Sequence, residues 1–253
     1  MISMITFWEE NMTDNGDIKN KEQDTENQDQ ENSGNIKEYG IPENTGYKKN
    51  IQFISLIGEI EGHYISSNDK KSTKYEHIIP ILINSHQDPN IEGIFIILNT
   101  MGGDVEAGLA LAELIHGIRK PKVSLVLGGG HSIGVPLATS TDFSVIVPSA
   151  TMTVHPIRTT GLVISGPQTF RYFQKMQQRI NNFIVRTSNI SEKALIDLMY
   201  ASDQMANDTG TILVGAEAVN VGLIDTVGDF SFALTKLNEL YAIIQMYCNK
   251  RGI

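Results

Sequence analysis

Twice in succession, a largely apolar run is followed by glycines and then by an apolar helical pattern. Gly93 to Leu98 runs into Met101-Gly102-Gly103-Asp104, after which Val105 to Ile118 sets Leu109, Ala112 and Ile115, with Leu111, Leu114 and Ile118, on one broad face. Lys122 to Leu127 then runs into Gly128-Gly129-Gly130, and Ser132 to Thr139 follows as a short helix of small and apolar residues. Strands that do not alternate polar with apolar are buried on both faces, which requires helices on both sides of a mainly parallel sheet. Crossover connections of this kind define an α/β fold.

The remaining elements extend the same alternation. Ile51 to Ile57 reads as a strand ending at Gly58, and Tyr75 to Ser85 carries Ile78, Ile79, Leu82 and Ile83 at helical spacing. Phe143 to Val147 reads as a strand, and Gln168 to Arg186 as a long amphipathic helix with Phe170, Phe173, Met176, Ile180 and Phe183 along one stripe. That stripe suits core packing or a subunit interface. Further helices are expected at Ser191 to Tyr200, Ala216 to Asn220 and Phe232 to Tyr247.

With 253 residues, 41% of them hydrophobic, the chain suits one α/β domain preceded by a leader. Residues 11–48 are rich in Asn, Gln, Glu, Asp and Gly and show no hydrophobic period, so residues 1–48 are expected to be a disordered acidic leader and residues 49–253 the domain. The leader holds eleven acidic and four basic side chains, hence seven of the nine net negative charges. The nearly neutral remainder has no basic cluster, which argues against nucleic acid as a partner.

Cys248 is the single cysteine and cannot form an internal disulfide, which fits a reducing cytoplasm. The first ten residues lack the basic start of an export signal and reach Glu9 and Glu10 too early. Apolar runs such as Ile94 to Leu98 are far short of the roughly 20 residues that span a bilayer. The expectation is a soluble, cytoplasmic protein that is still able to rest against a membrane. His63, His77, His86 and His116 show no ligand spacing, so no metal is expected, and no cofactor.

Glycines between a strand and a helix bring unpaired helix-terminal N–H groups together, where they hold a phosphate or a developing oxyanion. The run Gly128-Gly129-Gly130-His131-Ser132 lacks the Gly-Lys-Ser/Thr of a nucleotide loop, and no dinucleotide-binding glycine pattern is present. What remains is a serine at a tight strand-to-helix turn, a position that lifts Oγ into reach of a substrate carbonyl. Serine needs a base, and His155, at the end of the short β-type run Met152-Thr153-Val154-His155-Pro156, is placed at a strand's carboxyl edge. His131, beside Ser132, is given no part in the chemistry.

Four segments carry a family resemblance. Asn99-Thr100-Met101-Gly102-Gly103 resembles the Asn-Ser-Pro-Gly-Gly turn of Clp protease proteolytic subunits, and Gly128 to Gly134 resembles their Gly-x-Ala-x-Ser-Met-Gly nucleophile turn. Met152 to Pro156 resembles the segment with the family's histidine, and Ala216 to Asp225 resembles its Glu-Ala-x-x-x-Gly-Leu-Ile-Asp ending. The resemblance spans residues 51 to about 228 and is nearest to the translocation-enhancing subgroup of Gram-positive bacteria.

The resemblance implies a Clp/crotonase-type fold of repeated ββα units, with the helix at Gln168 to Arg186 packing subunits into a homo-oligomeric ring. It implies a serine endopeptidase acting on peptides, unfolded proteins, signal peptides or secretory precursors, with an unfoldase or the secretion machinery as partner. Ser132 takes the nucleophile's position and His155 the base's, and the N–H groups of Gly103 and Ile133 form the oxyanion hole. The family's aspartate position falls on Gly210; the nearest carboxylate is Asp208, with Asp203 and Asp197 as alternatives. Two departures stand out: Pro136 removes an early helical hydrogen bond just after Ser132, and Met101 replaces a turn proline.

Two rival functions are open on the same residues. A crotonase-like enzyme would use the paired amides on an acyl-CoA thioester, with carboxylates as its acid and base. A ring scaffold with weak or no catalysis would instead bind secretory precursors.

Overall fold

The computed structural model describes residues 50–63, 70–158, 166–202 and 209–251, and side chains up to residue 246. The leader 1–48, Asp203 and Asp208 lie outside the described residues.

Eight strands and seven helices alternate along the described chain. They are β1 (Ile51–Glu61), β2 (Ser72–Lys74), α1 (Tyr75–Gln87), β3 (Gly93–Gly103), α2 (Val105–Gly117), β4 (Lys122–Gly130), α3 (Gly134–Thr139), β5 (Phe143–Ile146) and β6 (Thr151–Val154). After these come α4 (Gly166–Thr187), α5 (Glu192–Met199), β7 (Thr211–Val214), α6 (Ala216–Asn220), β8 (Thr226–Val227) and α7 (Phe230–Arg251). The main sheet runs β2-β1-β3-β4-β5-β8, with every pairing in it parallel. β6 leaves that sheet, touching β4 at Gly129↔Thr151 and pairing antiparallel with β7.

The apolar run of β3 is buried on both faces, as its sequence requires, and β4 is buried beside it. On one side Ile54, Leu56, Ile96, Leu98 and Val126 pack with Leu111, Ile115 and Leu137 of α2 and α3. On the other, Phe95, Val123, Leu125 and Val145 pack with Ala233 and Leu237 of α7. Alternate residues of β3 therefore serve two different cores.

Three boundaries differ from the sequence reading. β1 does not stop at Gly58 but continues to Glu61 past an irregularity between Gly58 and Glu59, because Glu59 to Glu61 find β2 as a parallel partner. The glycines Gly102–Gly103 and Gly128–Gly130 are not turns outside the strands: both sets stay within β3 and β4. The short helix starts at Gly134 and not at Ser132. Pro136 is then its third residue, within the first turn where N–H groups lack intrahelical acceptors anyway, and the Ser132 carbonyl already accepts the Val135 N–H at 3.0 Å. The proline therefore leaves the turn after Ser132 intact.

α4 is buried only through its second half, at Met176, Asn181, Phe183 and Ile184, whereas Phe170 near its start is 64% exposed. Arg179 meets Glu106 with both guanidinium nitrogens, at 2.6 and 2.9 Å, and Arg186 pairs with Glu113. The two pairs are offset by the same step along α2 and α4, so these helices run side by side in the same direction. Arg179 holds the Glu106 carboxyl below the usual carboxylate range by hydrogen bonding to its charged form.

The Gly-Leu-Ile-Asp ending has a structural use. Asp225 accepts from both the N–H and the hydroxyl of buried Ser144, each at 2.8 Å, and so fastens the end of the α6 segment to β5. Asp225→Ala leaves that buried amide without its acceptor and is expected to cost about 1–3 kcal/mol, read as a lower urea midpoint at unchanged m-value.

Candidate active site

The site begins where β3 ends. The Asn99 carboxamide oxygen accepts the Gly129 N–H at 2.9 Å, and the Thr100 hydroxyl donates to the Gly58 carbonyl at 2.6 Å while accepting the Gly102 N–H at 3.0 Å. Thr100 thus ties the strand end to β1 on one side and shapes the glycine pair on the other. Gly102, at φ +95°, lies directly against the nucleophile candidate: a Cβ there would stand 2.7 Å from Ser132 Cβ. Only glycine permits that approach in that backbone conformation.

Asp104 then caps α2 through the Ala107 N–H, at 2.8 Å, and donates its own N–H to the Ile60 carbonyl at 2.9 Å.

Ser132 has φ +56° and is the one non-glycine residue with positive φ among the described residues. A left-handed conformation costs an L-residue about 1–2 kcal/mol and persists only where neighbours hold it. Here the His131 N–H donates to Thr100 O at 3.1 Å, the Ser132 N–H to Thr153 O at 2.9 Å, and the Gly134 N–H to His131 O at 2.8 Å. The serine is locked between β3, β6 and the start of α3. The next amide, of Ile133, meets no protein acceptor among the described residues.

His155 is the first residue after β6. Its Nδ1 lies 2.7 Å from the Pro156 carbonyl, which can only accept, so Nδ1 carries a proton and donates to it. Gly103, Ser132, Ile133 and His155 line one cleft of about 160 Å³. Its walls are largely apolar, formed by Val105, Val135, Ile157, Ile180, Ile184 and Met199, with Arg158 at its border.

Four of the five residues singled out from the sequence are therefore brought to one cavity. The fifth, Asp208, and its alternative Asp203 lie outside the described residues. Asp197 does not line the cleft: it sits on α5 and pairs with Lys193 at 2.5 Å. Thr100 and Thr153 were not singled out, although both lie inside the motifs; threonines that tie separate segments together by hydrogen bonds leave no period in a sequence. No group of three metal-ligating side chains occurs among the described residues. Nor is any described helix long and apolar enough to cross a membrane.

Residues 55–230 match the model of the Clp protease family. The chain is 52% identical to the translocation-enhancing protein TepA of Halalkalibacterium halodurans over 193 residues, which are 76% of this chain and 75% of that one. It is 25% identical over 182 residues to an ATP-dependent Clp protease proteolytic subunit of Streptococcus agalactiae, covering 70% of this chain and 84% of the relative. The matched span takes in β3, β4, β6 and the Gly-Leu-Ile-Asp ending, the segments that build the cleft and its support. On this evidence the chain belongs to the Clp protease family.

Proposed function

We propose that the protein is a serine endopeptidase in which Ser132 attacks the peptide carbonyl and His155 Nε2 takes its proton. The tetrahedral oxyanion is held by the N–H groups of Gly103 and Ile133; the imidazolium then protonates the leaving amine, and water hydrolyses the acyl-enzyme by the reverse sequence. Asp208 is the acid that orients His155. The observation that carries this reading is a serine held in a left-handed turn on the same cleft as an imidazole whose Nδ1 is anchored to the Pro156 carbonyl.

The apolar walls of the cleft favour apolar side chains next to the scissile bond. The substrates are peptides or unfolded proteins, and the name of the Halalkalibacterium relative supports secretory precursors and a link to protein translocation. The subunits form a homo-oligomeric ring through α4, whose exposed Phe170 and Tyr172 suit a subunit contact. An unfoldase or a component of the secretion machinery is the expected partner. Residues 1–48 precede the matched span and carry most of the net negative charge, and the single cysteine supports a cytoplasmic setting.

The test is treatment of the assembled protein with a fluorophosphonate, followed by peptide mass spectrometry. The expected result is a single adduct on Ser132. Folded, assembled protein with an unmodified Ser132 would overturn the peptidase reading and favour a binding scaffold.

A further inference from the structure

We propose that His131 is a positioning residue, which cross-links the nucleophile turn to the strand carrying the base through a hydrogen bond to Thr153. This rests on the peptidase reading of the same cleft.

The ring of His131 sits in a fitted niche. Its Nδ1 lies 2.7 Å from the Thr153 hydroxyl and its Nε2 3.4 Å from the Thr151 hydroxyl, so both threonines of β6 that face it are engaged. A Cβ on Gly129 would stand 2.7 Å from Nε2, so glycine is what leaves room for the ring. The backbone of the same residue donates to Thr100 of β3 at 3.1 Å and accepts from Gly134 at the start of α3 at 2.8 Å. One residue therefore gathers β3, β6 and α3 around the nucleophile.

Thr153 is gripped twice: its carbonyl holds the Ser132 N–H at 2.9 Å and its hydroxyl holds the His131 ring. It stands two residues before His155, as the third residue of a four-residue strand whose one ladder pairing with the main sheet, among the described residues, is Gly129↔Thr151. The backbone bond from the Ser132 N–H to Thr153 O sets the register of this short strand against the turn, and the His131–Thr153 link adds a side-chain bond that holds it, and with it the separation between hydroxyl and imidazole. Proton transfer depends steeply on that separation, since a misplacement of about 1 Å can cost roughly 100-fold in rate. Burial, and then the proximity of His155, push the His131 ring below the usual histidine range. It is thus kept neutral and adds no repulsion when His155 becomes protonated.

The experiment measures fluorophosphonate inactivation of the full-length protein, separating the maximal rate kinact from the half-saturating concentration KI. His131→Ala and Thr153→Val are each expected to lower kinact about 10- to 100-fold with KI within about threefold. His131→Asn, whose amide reaches where Nδ1 sits, and Thr153→Ser are expected to recover most of the rate. The double variant is expected to be no slower than either single one, because both remove the same link. Overturning results are an alanine variant that reacts at the parental rate, an asparagine variant as slow as alanine, or additive losses in the double variant. If His131→Ala fails to fold, the Thr153→Val and Thr153→Ser pair decides alone. A parent protein that does not react at all sinks the peptidase reading and this proposal together; a reactive parent with an equally reactive His131→Ala sinks only this one.

Discussion

Ser132→Ala is expected to abolish peptide hydrolysis, lowering kcat/KM on a fluorogenic peptide by roughly 10⁴-fold or more, while leaving the fold untouched. Removal of Oγ deletes the nucleophile, and no other hydroxyl in the cleft has its backbone lifted to the same place. Ser132 and alanine share the strain of φ +56°, so the alanine variant should unfold at the parental temperature. Ser132→Gly is expected to be just as inactive but more stable, by about 1 kcal/mol, because glycine adopts left-handed backbone without the Cβ clash. In a domain of this size that is a rise of roughly 2–4 °C in Tm. Such an opposition between stability and activity marks strain kept for chemistry and not for folding. An alanine variant that still hydrolyses peptides at the parental rate would rule Ser132 out as nucleophile.

Gly103→Ala is expected to be strongly damaging to both fold and activity. The added Cβ would stand 2.2 Å from the Ile60 carbonyl oxygen and 2.6 Å from its nitrogen, at a φ of +153°. Those atoms are backbone of β1, itself paired on both sides with β2 and β3, so they cannot swing aside as a side chain would. The clash and the unfavourable dihedral together should cost about 3–5 kcal/mol in urea unfolding. Whatever protein folds should have lost the Gly103 amide as an oxyanion donor, and with it about 100- to 1,000-fold in kcat. Gly117→Ala is the control: it ends α2, nothing lies within 4 Å of its added Cβ, and its stability should be unchanged or slightly raised. Equal losses in the two variants would show that packing at Ile60 is not what demands glycine at 103.

Much of the fold was legible because the long elements state their surroundings in their own composition. Ile94 to Leu98 is apolar at every position, and the structure gives each face of β3 its own core. The helices α1, α2, α5 and α6 stand within two residues of where their apolar spacing sets them. β2, β7 and β8, of three, four and two residues, were missed. A strand so short carries no period; it exists because a distant segment offers it a ladder, β1 in one case and β6 in another.

The same division runs through the candidate site. Ser132 and His155 stand out as candidates by residue type and motif, because a hydroxyl at a glycine turn and an imidazole at a strand end are chemical statements in themselves, whereas Gly103 and Ile133 enter only through the family resemblance. Asp208 was a matter of counting, two residues from the family's position. What the sequence by itself determined was the set of groups and the strand ends that carry them. What only the tertiary structure decided was their mutual placement: the left-handed backbone of Ser132, the grip of Thr153 on both the nucleophile and His131, and the departure of β6 from the main sheet. These depend on hydrogen bonds between segments far apart in the chain, whose energies no local pattern of side chains encodes.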